Sequence, residues 1–241
     1  MIDILYEKIE IIKNKYKPKG IILIGSFVEE YEDYIKNKEN YEFTNTSDID
    51  LFIIGDYKEF ERSVESYCGI EFDISYINLN QLTKAIEEEI DSLISILAKS
   101  KVIESDIEIK DIIENIKKLY MRGPKKMNKY TIDYNRFIFT NEIYQLKKII
   151  EKIEFEFLFN KLLSDLIKFN YHISGKWIPT EKRLLKFIED SNILYIIDKI
   201  YKSNNRIEKL ELIVKLFNYI MKDYGGELKV WPKGPYPFDF K

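Results

Sequence analysis

Asp48 and Asp50 stand two residues apart at the head of the apolar run Ile49 to Ile54, and Asp73 stands inside "EFDISYI". A period of two along a β-strand sends Asp48 and Asp50 to one face and Ile49 and Leu51 to the other. Two carboxylates held ~4 Å apart repel by about 4 kcal/mol at an effective dielectric of ~20, so the pair calls for a divalent cation or a shared proton. If the strand of Asp73 pairs with the strand of Asp50, three carboxylates form one cluster. Upstream, the run Ile21 to Ile24 ends in Gly25-Ser26. Glycine there lets backbone come close to a ligand, and a serine at a helix start sets a hydroxyl beside free N–H groups, where a phosphate can lie. Carboxylates that hold Mg²⁺ and a helix start that holds phosphates are complementary halves of one triphosphate site. Taken singly, each feature has a plainer reading, since a D-x-D at a strand edge is also what a solvated turn gives. The order of the features is what points to a site.

The elements that must position these residues follow from periodicity. Ile4, Leu5, Ile9, Ile11 and Ile12 fall near one helical face of Ile2 to Tyr16, and Pro18 with Gly20 ends that helix. Ile21 to Ile24, Ile49 to Ile54 and Ile70 to Ile77 read as strands, with the charged stretch Tyr57 to Ser66 read as helical between the last two. Helical spacing resumes from Gln81 to about Met121, interrupted by a brief strand at Lys101 to Ile103. The expected first domain, residues 1–122, is therefore α/β (α+β) with a small mixed sheet.

"MRGPKKMNKY" then breaks the pattern, and residues 123–241 are expected to form an all-α helical bundle with an irregular tail. Its helices are read over Thr131 to Glu151, Glu154 to His172, Thr180 to Ile188, Leu194 to Tyr201 and Arg206 to Tyr224. The tail aromatics Trp231, Tyr236, Phe238 and Phe240 are expected to pack rather than to stack on a ligand.

Composition narrows the chemistry. The 241 residues carry a net charge of only −3 with 33% charged residues, which offers no basic field for nucleic acid or an anionic membrane. One cysteine, Cys68, and one histidine, His172, exclude an intramolecular disulfide and a Cys/His zinc site, so metal ligands must be carboxylates. No apolar segment approaches the ~18–20 residues of a membrane span, and the expected setting is cytoplasmic. Oligomeric state is left open, a homodimer included.

"IILIGSF", "TSDIDLFII" and "EFDISYI" together resemble the signature of the DNA polymerase β-type nucleotidyltransferases. The resemblance implies that Gly25 and Ser26 hold nucleotide phosphates, that Asp48 and Asp50 ligate the metal of the triphosphate, and that Asp73 helps hold a second metal at the acceptor. It also implies two Mg²⁺ ions, ATP or another NTP as donor, and in-line attack of an acceptor oxygen on the α-phosphate. The interval from Gly-Ser to D-x-D is about twice that common in the family, which places an insertion within Glu29 to Thr46; doubling a loop costs only ~0.6 kcal/mol in closure entropy. In two-lobe plan the chain is similar to the small bacterial kanamycin and lincosamide nucleotidyltransferases. The implied function is transfer of AMP to a hydroxyl of a small molecule, an aminoglycoside or lincosamide antibiotic among them. By the same analogy Lys182, expected at a helix start in "WIPTEKR", would contact phosphate, and Glu142 is a candidate base beside His172, for which a capping role competes. The alternatives are an enzyme acting on a protein or tRNA end, as in toxin–antitoxin pairs, and an inactive nucleotide-binding module.

Overall fold

The computed structural model describes residues 1–37 and 48–233. Much of the expected insertion, residues 38–47, and the aromatics Tyr236, Phe238 and Phe240 lie outside them. The chain divides into two compact units, Met1–Pro124 and Lys125–Lys241.

The first unit opens with α1 (Ile2–Tyr16), whose residues Leu5, Ile9 and Ile12 are buried; Ile11, expected on that face, is exposed. Strand β1 (Gly20–Ile24), helix α2 (Phe27–Lys36) and strand β2 (Ile49–Ile54) follow. Then come β3 (Glu61–Tyr67) and β4 (Ile70–Ile77), and after them α3 (Leu79–Glu87), α4 (Asp91–Ala98), β5 (Lys101–Ser105) and α5 (Ile107–Arg122). The described residues form one mixed sheet in the order β3-β4-β2-β1-β5. Only β2 and β4 run parallel; the other neighbours are antiparallel. Alternation divides the strands as expected: Ile21, Leu23, Ile49, Leu51, Ile53, Phe72 and Ile74 join α1 and α2 in one core. Asp50 and Asp73 take the intervening positions.

One expected element is of the wrong type. Tyr57 to Ser66 is not helical, because residues 61–67 form an edge strand that hairpins back on β4. Tyr67 pairs with Ile70 around Cys68 and Gly69, both at positive φ (49° and 80°), the backbone that a two-residue I′ hairpin turn requires. Its residues are mostly exposed on both faces, so no apolar alternation marked it as a strand.

The second unit holds α6 (Lys129–Lys148), α7 (Lys152–Ile173), α8 (Ser191–Lys202) and α9 (Arg206–Ile220). They pack around Phe139, Phe155, Phe159, Leu166, Ile196 and Phe217. The helix expected over Thr180 to Ile188 is reduced to a 3₁₀ turn, Glu181–Arg183. There the Leu184 carbonyl accepts a hydrogen bond from the Tyr171 hydroxyl at 2.7 Å, which ties the segment to α7 rather than to a helical ladder of its own. Trp231 packs edge-on against Tyr130 and Tyr134 of α6, at 5.3 and 5.4 Å between ring centroids. Among the described residues, no helix is long and apolar enough to cross a membrane.

Candidate functional site

The first unit brings Asp50 and Asp73 to neighbouring positions of the sheet, with Gly25 and Ser26 just past the end of β1. Asp50 is the register partner of Ile24 on one side and of Asp73 on the other. Directly paired residues on adjacent strands share a face, so both carboxylates emerge on one side of the sheet, ~5 Å apart at the backbone. Like charges at that spacing cost about 3 kcal/mol at an effective dielectric of ~20. Asp48 lies exposed just ahead of β2.

Gly25 follows Ile24 with φ at +78°, a conformation in which an L side chain is strained. A Cβ built there would stand 1.9 Å from Oδ2 of Asp50. What comes close to this glycine is thus the Asp50 carboxylate itself, where the sequence had suggested a ligand. Ser26 is the N-cap of α2, is exposed, and makes no capping hydrogen bond with its side chain. The first turn of α2 carries Glu29 and Glu30. They suit the positive end of the helix and weaken its attraction for a phosphate.

The sequence reading missed Arg62, which lies on β3 opposite Ser75 and diagonal to Asp73. Its Nε donates to Oδ1 of Asp73 at 2.7 Å and its Nη2 donates to Oδ2. This is the two-pronged guanidinium–carboxylate geometry, stronger than a single neutral hydrogen bond. The Asp73 side chain is 18% exposed and that of Arg62 61%, so water screens the pair from the arginine side. The hydrogen bonds to Asp73 and then its charge, with a further contribution from Asp50, hold the guanidinium above its ordinary pKa. The Cys68-Gly69 turn was the signal that could have found Arg62, since a I′ hairpin would have made its flank a strand.

This geometry bears on metal binding. Asp48 and Asp50 are hard oxygen donors of the type that holds one divalent cation. Both oxygens of Asp73, expected to help hold a second cation, accept from Arg62, which sets a positive charge beside that carboxylate. Among the described residues, no group of three or more His, Cys, Asp or Glu side chains is gathered as a metal site.

The remaining candidates belong to the second unit. Lys182 is exposed on the 3₁₀ turn Glu181–Arg183, not at the start of a helix as expected. Glu142 and His172, singled out separately in the sequence, line one cavity of about 290 Å³ together with Lys161, Asp165 and Lys168. Lys161 bridges Glu142 at 3.1 Å and Asp165 at 2.7 Å. Glu142 is therefore already engaged by a lysine.

Comparison with known proteins adds the fold. No family model and no curated protein matches the chain. Among solved structures it is similar to a nucleotidyltransferase-like protein from Exiguobacterium sibiricum 255-15, with a TM-score of 0.52 and 8% identity, over 91% of this chain and 75% of that one. The fold is nucleotidyltransferase-like. At that identity the likeness extends to the path of the backbone and no further.

Proposed function

We propose that this chain is a metal-dependent nucleotidyltransferase that moves AMP from ATP to a hydroxyl of a small molecule. The pairing of Asp50 with Asp73 beside Gly25-Ser26, within a nucleotidyltransferase-like fold, carries the proposal. A divalent cation, Mg²⁺ in the cell, would offset the charge of the triphosphate and of the developing pyrophosphate. Asp48 and Asp50 would hold it. Gly25 and Ser26 would present the start of α2 to the phosphates, and that cation would also offset the two glutamates of its first turn. Asp73, oriented by Arg62, faces the same side as Asp50 and would orient the acceptor. The acceptor oxygen forms the new bond to the α-phosphorus and gives up its hydroxyl proton to solvent, as the bond to the bridging oxygen breaks and pyrophosphate departs.

The experiment is pyrophosphate release with Mg²⁺, each of the four NTPs, and a panel of aminoglycosides, lincosamides and simpler polyols. Acceptor-dependent release that disappears with chelator supports the reading. A second reading, a nucleotide-binding module without turnover, is favoured by the engagement of Asp73 with Arg62. ATP binding with no pyrophosphate from any acceptor would select it.

A further inference from the structure

We infer that this carboxylate site takes one divalent cation and not two, because the Arg62 guanidinium fills the place at Asp73 that a second would occupy. The inference rests on the nucleotidyltransferase reading. Asp50 and Asp73 are forced together by the parallel register of β2 and β4 and need a positive charge between them or beside them. Arg62 supplies it from within the chain. Its position is set by an unbroken ladder from Glu61 opposite Tyr76 to Tyr67 opposite Ile70. Its Nε and Nη2 each take one oxygen of Asp73, and its charge is felt by Asp50 as well. A dication on the remaining lone pairs of Asp73 would stand against a permanent positive charge, since a guanidinium does not deprotonate in this setting. The Asp48-Asp50 end lies beyond the carboxylate that Arg62 grips, which leaves it as the place for the cation that accompanies a nucleoside triphosphate. Arg62 is thus a positioning residue that replaces a metal at the third acid.

Counting Mn²⁺ tests this without turnover. The full chain is titrated with Mn²⁺ in the presence of an ATP analogue with a non-hydrolysable α,β bond, and bound ion is read from the loss of the free-ion electron paramagnetic resonance signal. One Mn²⁺ per chain and per nucleotide is expected for the parent protein. Arg62→Ala should raise the count to two, and Arg62→Ala/Asp73→Asn should return it to one. Asp73→Asn alone should stay at one. Two ions on the parent protein would overturn the inference while leaving the nucleotidyltransferase reading in place, and so would a count that stays at one in a folded Arg62→Ala. No ion and no nucleotide on the parent protein would overturn both.

Discussion

Oδ2 of Asp50 lies 1.9 Å from where a Cβ of Gly25 would be, so the glycine and the aspartate are two parts of one fitted contact. Gly25→Ala should therefore destabilise the chain for two reasons. A left-handed backbone costs an L-residue about 1–2 kcal/mol, and the methyl collides with the carboxylate. In an Asp50→Ala background the collision with the carboxylate oxygen is gone and the backbone strain remains. Denaturant melts of the two single variants and the double variant should thus show the double less destabilised than the sum of its parts. Simple additivity would mean that the carboxylate yields freely.

Asp50 and Asp73 should divide the work. Asp50→Asn is expected to abolish Mg²⁺-dependent ATP binding along with turnover. Asp73→Asn should keep most nucleotide affinity and lower the chemical step by about 10²-fold, roughly 2.7 kcal/mol of barrier. Calorimetric titration with single-turnover rates decides between this and an equal loss of affinity in both.

Tyr57 should be a cost in the resting protein. Its hydroxyl is buried with no hydrogen-bond partner among the described residues, while its ring meets Tyr76 at 5.3 Å. Removing an unpaired buried hydroxyl and keeping the ring makes Tyr57→Phe as stable as the parent or more so, by up to about 1–3 kcal/mol. A loss of more than ~1 kcal/mol in a denaturant melt would mean that the hydroxyl has a partner after all.

Alkaline stability should reveal the same cluster. Burial first, then the neighbouring tyrosines, pushes Tyr57 up to about 12, and burial also pushes Tyr76 up to about 12. Groups held protonated in the folded state stabilise it fully below their unfolded value of ~10, and that contribution is lost as pH rises through the folded values. Melting midpoints should fall between pH ~10 and ~12, and less steeply in Tyr57→Phe. Parallel curves for the two proteins would remove Tyr57 from the effect.

At the acid end the second unit should respond through Asp190. Burial alone would raise its pKa, but the Tyr219 hydroxyl and the backbone N–H groups of Asn192 and Ile193 outweigh it and hold the carboxylate below its ordinary value. Asp190 caps α8, so Asp190→Ala should cost about 1 kcal/mol at neutral pH. The contribution that comes from ionisation is present above pH ~4 and is lost as pH falls through the lower folded value, so parent and variant should converge in acid. Melts at pH 7 and below pH 3 check this.

By itself the sequence determined what is local. An apolar alternation with acids at the intervening positions fixes which face Asp50 and Asp73 take on their own strands, because the pleat has a period of two whatever the strand pairs with. The 3.6-residue spacing marked α1, α7 and α9 within a few residues, and a glycine after Ile24 marked the turn into α2. What the tertiary structure decided is what depends on partners. That β2 and β4 run parallel in the register that sets Asp50 beside Asp73 is a choice among pairings that no short stretch encodes. Edge strand β3 faces water on both sides and so carries no burial pattern, and with it went Arg62. Thr180 to Ile188 has helical spacing, yet the Tyr171 hydroxyl takes the Leu184 carbonyl that a helix would have used. For the β2–β4 register and for the Leu184 carbonyl the deciding interaction is with a group outside the local stretch, whose energy exceeds the few tenths of a kcal/mol per residue by which local propensity prefers one conformation to another.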